Sequence, residues 1–284
     1  MGALSGRVEQ LVEGLLDRMG EQAPPLDLHE WLSAPLPILV ICELLGVPYE
    51  DRDHFRSIAE DMGDVADPER SVSAYARMET YSRGVIMAKR ADPGEDVYSD
   101  LASIGLPDDQ IASIAAKLLF AGHETTVNQI DHGVLHLLNN PDQLEALKRD
   151  PALVSGAVEE MLRVTVLSEH GALRYAREDV EIAGITVRAG EAVVLAMVAA
   201  NRDERVYPDP DRFDITREIG HPHLAFGYAI RYCLGATLAR VELRAVFSSL
   251  FQRFPTLGLA VPVEELTPRA DQLTGGFTGL PVTW

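Results

Sequence analysis

Phe226-Gly227-Tyr228-Ala229-Ile230-Arg231-Tyr232-Cys233-Leu234-Gly235 is a loop that delivers one cysteine to the start of an amphipathic stretch, Ala236 to Phe251. A helix N-terminus offers free backbone N–H groups, and these favour the thiolate, the form in which sulfur binds iron. Gly227 and Gly235 carry no Cβ, so backbone can approach a flat macrocycle closely. Phe226 can pack beside the sulfur and keep water from it. The group that such a loop suits is a haem iron. A lone cysteine beside a turn also suits a small buried core position, and the rest of the chain has to decide between the two.

The chain has 284 residues, 46% of them hydrophobic, and two cysteines. That length supports one large core or two smaller ones. No run reaches the ~18 to 20 apolar residues of a membrane span, and the start, Met1-Gly2-Ala3-Leu4-Ser5-Gly6, fits neither a signal peptide nor a myristoylation pattern. The expected location is the cytoplasm. Cys42, in the apolar segment Ile38 to Leu45, reads as a small core residue, so no disulfide framework is implied. A formal charge of −19, from 25 Lys and Arg against 44 acids, argues against a nucleic-acid surface.

Helical periodicity dominates. Val8, Leu11, Val12, Leu15, Leu16 and Met19 share one face, with Glu9, Glu13, Asp17 and Arg18 opposite, and Gly20 ends the segment. The apolar run Pro35 to Leu45 stops at Gly46-Val47-Pro48, and Asp51 is placed to cap a helix through Asp61. Ser71 to Arg90 is a further helix, closed by Asp92-Pro93-Gly94. Pro107-Asp108-Asp109 begins the longest pattern, which runs to Leu138 before Asn139-Asn140-Pro141. Two helices follow, Pro141 to Arg149 and Pro151 to Thr165. Strand signals are confined to Glu178 to Val198, where Val180 to Ile182 and Ile185 to Val187 flank Ala183-Gly184 and an apolar run follows from Ala192 to Val198. Asn201 to Gly220 is a long irregular connection into the cysteine loop. One mainly α domain with small β-sheets, spanning 1–284, is the expected architecture.

The cysteine loop resembles that of the cytochrome P-450 family, Phe-Gly-x-Gly-x-His/Arg-x-Cys-x-Gly. Phe226, Gly227, Arg231, Cys233 and Gly235 match, and Ala229 stands where the family has Gly. If that position requires positive φ, its methyl group introduces strain of order 1 kcal/mol. Ala121-Gly122-His123-Glu124-Thr125-Thr126 resembles the family's Ala/Gly-Gly-x-Asp/Glu-Thr-Thr, and a kink or bulge is expected there. The resemblance implies that Glu124 feeds protons to reduced dioxygen and that Thr125 orients it. Glu160-Met161-Leu162-Arg163 matches the family's Glu-x-x-Arg, a buried structural pair joined by a further arginine, here assigned to Arg212 in Pro210-Asp211-Arg212-Phe213. Arg174 and Arg231 fall where the family contacts the haem propionates, with His223 a third candidate. By family position Leu167 to Leu173, including Glu169 and His170, lines the substrate pocket with Phe120, Ala121 and the turn Gly275-Gly276-Phe277-Thr278. His132 and His136 have the spacing of helical zinc ligands, yet no Glu follows His132 and no third ligand is evident, so a packed or solvated pair is the better reading.

What the resemblance implies is a haem-thiolate monooxygenase of the soluble bacterial type, with haem b, dioxygen and an apolar small-molecule substrate. No Gly-x-Gly-x-x-Gly or phosphate loop occurs, so electrons come from outside, through a ferredoxin and its reductase. Arg231, Arg240 and Arg244 offer a basic dock for that carrier. The family's N-terminal block has no counterpart before Val8, so the expected fold is N-terminally truncated, with an open haem edge, weaker haem retention and a partly exposed apolar patch open to cover by a second copy or by another chain. Two other readings stand beside this one. A peroxide-driven haem oxidant is disfavoured by Glu124 and Thr125; the other is a helper or binding protein, whose haem-free form is disfavoured by the retained Cys233 and whose haem-binding but catalytically impaired, truncated form is separated from an enzyme by a product assay.

Overall fold

The computed structural model describes residues 2–165, 167, 172–218 and 220–284. Helix α1 (Gly2–Gly20) buries Val8, Val12, Leu15, Leu16 and Met19, the stripe its sequence presents, and lies along α10 (Ala236–Arg253). Helix α2 (Pro35–Leu45) begins with a proline, whose missing N–H has no helical partner to lose, and ends at Gly46, which takes the left-handed φ of 78°. Helices α3 (Arg52–Met62), α4 (Pro68–Ala91) and α5 (Val97–Ser103) follow. Asp67 and Asp96 cap the last two by accepting the N–H groups of Arg70 (3.0 Å) and Ser99 (2.8 Å). Asp51 holds the N-cap position of α3 but does not cap it; its carboxylate accepts the Tyr81 hydroxyl at 2.9 Å instead.

The 32-residue helix α6 (Asp108–Asn139) runs through the middle and packs on α2, α3, α4, α5 and α10. Its N-terminal half, with Ile111, Ala115 and Leu119, joins α2 to α5 in one apolar cluster. Its C-terminal half, with Ile130, Val134 and Leu137, joins α1, α7 (Pro141–Arg149), α8 (Val154–Val164) and α10 in another. The region between the two halves carries Gly122 to Thr126. Gly122 is a close-approach position, because a Cβ there would lie 2.8 Å from Ile41 Cδ1 of α2. The helix remains α-helical through this region without interruption, so the expected bulge does not form. The Thr125 hydroxyl donates to the Ala121 carbonyl at 2.8 Å while the helix ladder continues past it.

Three small sheets complete the fold. Strands β3 (Val180–Ile182) and β4 (Ile185–Val187) form the expected hairpin, with positive φ at both Ala183 (51°) and Gly184 (81°), as a two-residue turn demands. The run from Ala192 divides into β5 (Ala192–Leu195) and a short helix α9 (Met197–Ala200), and β5 pairs with β2 (Ala172–Tyr175). Strands β1 (Leu26–Asp27), β7 (Pro281–Thr283) and β6 (Gly258–Leu259) bring the chain's C-terminal segment beside α1 and α2. No helix among the described residues is long and apolar enough to cross a membrane.

Candidate functional site

The cysteine loop closes on itself before α10 begins. Cys233 N–H donates to the Phe226 carbonyl at 2.9 Å, Tyr232 N–H to Ala229 at 3.0 Å, and Gly227 N–H to Leu224 at 2.9 Å. Gly227 adopts φ of 74°, where a side chain is strained, and a Cβ there would press on the Arg231 carbonyl at 3.1 Å. Ala229 adopts φ of 51°, so the strain foreseen for a methyl group at this position is present. At Gly235 a Cβ would meet the Cys233 sulfur at 3.9 Å. The thiol of Cys233 is exposed, and so are Ile230 (96%) and Leu234 (90%) beside it.

Across the molecule, Glu124 is buried at 3% exposure, and its Oε2 has no hydrogen-bond partner. The Arg269 guanidinium is 3.7 Å away. Arg269 sits on a turn that α6 itself holds: the Asn128 amide donates to the Thr274 carbonyl and hydroxyl and to the Gly275 carbonyl. Thr125 is half-buried next to Glu124. An acid without a fixed donor and a neighbouring hydroxyl can pass a proton between them and a third oxygen.

Glu160 and Arg163 are fully buried, with two 2.8 Å hydrogen bonds between them. The third member is Arg217, not Arg212. Arg217 Nε reaches both Glu160 oxygens, at 3.1 and 3.2 Å, and its remaining N–H groups donate to the carbonyls of Pro208, Asp209 and Arg212. The Arg212 side chain is exposed, and only its backbone carbonyl joins the network. The physical reason is reach: the chain turns back at Asp214, whose N–H donates to Glu160 Oε1 at 2.9 Å, and this swings position 217 inward.

His223 was expected at the haem edge and is instead committed inside. It is 5% exposed, Nδ1 accepts the Ala225 N–H at 3.2 Å, and Nε2 therefore donates to Glu159 at 3.1 Å. Arg240 was expected as a docking cation, but it makes a two-pronged pair with Glu159 at 2.6 and 2.8 Å, so its charge is compensated. Burial opposes ionisation of Glu159, yet hydrogen bonds from Arg240 and His223 hold its carboxyl down at about 2. Arg231 and Arg174 are exposed, Arg174 on β2 with one N–H on the Leu173 carbonyl.

Of the pocket candidates, Ala121 is exposed, Phe120 packs against Tyr75 of α4, and Phe277 packs against His132. Glu169 and His170 lie outside the described residues. His136 stacks on Phe213 and bonds Thr165 at 3.2 Å, so both helical histidines are in aromatic packing. A cleft of about 730 Å³ between α2 and α4 shares no lining residue with the cysteine loop or with Glu124 and Thr125. The sequence reading missed Glu159, Arg217, Arg269 and Asn128. For Glu159 a signal existed, its position immediately before Glu160.

The donor set fits a haem. One exposed thiol on a loop with a glycine where a Cβ would cover the sulfur, exposed aliphatic side chains on both sides and Arg231 nearby are what a flat apolar ring with carboxylate arms requires. Among the described residues no three His, Cys, Asp or Glu side chains converge as a metal site of their own. A family profile described as Cytochrome P450 matches residues 95–258. Pentalenolactone synthase of Streptomyces exfoliatus is 42% identical over all of this chain and 73% of its own length. Vitamin D3 dihydroxylase of Streptomyces griseolus is 41% identical over 98% of this chain and 69% of its own. The crystal structure of a cytochrome P450 hydroxylase from the leinamycin pathway of Streptomyces atroolivaceus superposes with a TM-score of 0.93 at 44% identity, covering all of this chain and 75% of that one. With the family profile matched over more than half of its length and relatives more than 40% identical across nearly all of it, the chain belongs to the cytochrome P450 family.

Proposed function

We propose that residues 1–284 form one haem-binding unit of a cytoplasmic monooxygenase, which uses haem b to insert one oxygen atom from dioxygen into an apolar small molecule. A ferredoxin and its reductase supply the electrons. Membership of the family implies a haem; the observation that carries the reading is the Cys233 thiol, presented at the start of α10 by an amide fixed to the Phe226 carbonyl. When bound, the haem supplies dioxygen binding and one-electron redox chemistry.

The chain's own residues do the rest. Cys233 gives the protein ligand, and Phe226 shields it on one side. Arg231 and Arg174 pair with the propionates, as planar guanidinium groups suit carboxylates. Thr125 keeps its hydroxyl proton on the Ala121 carbonyl and turns its lone pairs outward as acceptors. Glu124, buried beside Thr125 in the sequence with Oε2 free of any hydrogen bond, relays protons from solvent toward dioxygen. Phe120, Ala121 and Phe277 line the substrate pocket.

The experiment is the carbon monoxide difference spectrum of the reduced protein, with Cys233→Ser as its partner. A red-shifted Soret band that disappears in the variant supports thiolate ligation, and an unchanged spectrum overturns it. Turnover with ferredoxin and reductase, compared with turnover on peroxide alone, then separates the monooxygenase from a peroxide-driven oxidant.

A further inference from the structure

Glu159 has no role in the reading above, yet it is the single acid that ties α8 to both ends of the cysteine loop. On one side it takes the Arg240 guanidinium through Nε and Nη2. That guanidinium lies over the Phe226 ring at 4.6 Å, and its other terminal nitrogen donates to the Tyr232 hydroxyl oxygen at 3.3 Å. On the other side Glu159 takes His223, whose Nδ1 receives the Ala225 N–H. Phe226 accepts the Cys233 amide, and Tyr232 immediately precedes Cys233. The two aromatic side chains that bracket this closure, Phe226 and Tyr232, are therefore in contact with Arg240, Phe226 also with His223, and both Arg240 and His223 rest on one carboxylate.

We infer that Glu159 is a positioning residue for the haem ligand: through the Arg240 plane on Phe226 and the His223 contact, it fixes where the Cys233 sulfur is presented. A guanidinium stacks and donates in one plane, so it can press on a ring while its edge is held by an acid. Removing the acid frees Arg240 to leave the ring for water, and the closure from Phe226 to Cys233 loses the side chains that bracket it. The same pairing withdraws Arg240 from any docking surface and leaves Arg231 and Arg244 as the exposed or half-exposed cations near the loop.

The inference rests on Cys233 as the haem ligand, but its first test does not use haem. Amide hydrogen exchange of Cys233 is followed in the haem-free protein for wild type, Glu159→Gln, Arg240→Lys and Leu15→Ala, a remote core variant that serves as the control for lost stability. Relative to that control, E159Q and R240K should speed exchange at Cys233 by about ten-fold or more. In the haem-loaded protein they should also lower the fraction of the carbon monoxide complex with the red-shifted Soret band and move the reduction midpoint. R240K keeps a charge opposite Glu159 and provides the test if E159Q does not fold. Exchange and spectra that follow global stability alike in L15A and E159Q would overturn the inference, as would R240K that matches wild type. Accelerated exchange without any red-shifted band in wild type would instead uphold the clamp and sink the haem-thiolate reading.

Discussion

Replacing Arg217 by Met should be far more damaging than replacing Arg212 by Ala, although both lie in the same irregular segment five positions apart. Arg217 makes hydrogen bonds to both Glu160 oxygens and to three backbone carbonyls, from a side chain that is 9% exposed. Breaking a buried pair from one side costs about 3 to 5 kcal/mol. Glu160 keeps Arg163 and the Asp214 N–H, so it is not left bare, and the lower end, about 3 kcal/mol, is expected. For a chain of 284 residues that is roughly 5 °C in thermal midpoint. Arg212→Ala leaves its carbonyl in place and trims an exposed side chain, a change of about 0.5 kcal/mol or less. Thermal and urea unfolding, followed by circular dichroism on proteins prepared in parallel, measure both. Equal losses in the two variants, or a larger loss at Arg212, would refute the assignment of Arg217 as the third member of the buried network.

Ala229→Gly should raise stability modestly. Relief of the left-handed backbone is worth about 1 kcal/mol, and the added freedom of the unfolded chain returns roughly half of that, so a midpoint that falls would contradict the strain. Gly156→Ala should be costly even though alanine favours a helix by about 1 kcal/mol, because its Cβ would collide with the Ile215 backbone carbonyl, which cannot rotate away; a stabilised variant in urea denaturation would show that the contact yields. Acid should weaken the fold well before its carboxylates titrate. Burial holds His123 and His136 near 4 against the usual 6.5, so the unfolded chain takes up protons first and stability, complete above pH 6.5, is lost as the pH falls through 6.5 toward 4. Each group contributes up to about 1.4 kcal/mol per pH unit in that window, and His136→Gln should flatten the urea midpoint against pH. In the haem-loaded protein, Glu124→Gln and Thr125→Ala should each lower product formed per electron by about 100-fold or more, and normal coupling in both variants would remove them from proton delivery.

What the sequence made legible was whatever depends on spacing along the chain. The cysteine loop is ten consecutive residues, its contacts are mostly between them, and so Gly227, Cys233 and even the conditional strain at Ala229 follow from local order. Glu160 and Arg163 lie on one helix face for the same reason. The third arm was not legible, because Arg212 and Arg217 share a segment without periodicity and only the turn at Asp214 decides which of them faces inward. His223 and Arg240 were misassigned for a related reason: both are cationic or polar residues near the sulfur, and their partner, Glu159, is more than sixty positions away in the chain. Strands β1 and β6 are two residues long and carry no pattern of their own.

The misassignments share one source, and it changes how the Glu-x-x-Arg signature is to be understood in this chain. Glu159 and Glu160 are neighbours on α8, so their side chains leave the helix about 100° apart. Glu160, fully buried, gathers Arg163, Arg217 and the Asp214 N–H, and thereby holds the irregular segment up to residue 217. Glu159, near the surface, gathers His223 and Arg240, and thereby holds the segment from 223 into α10. The two carboxylates divide the approach to Cys233 between them, one fixing how the chain enters the loop and the other fixing the loop itself. A helix that offered only the buried acid would anchor the segment but leave the sulfur's own turn to the strained backbone at Ala229, which favours opening rather than closure. The half-buried acid is therefore the one on which the placement of the ligand depends most directly.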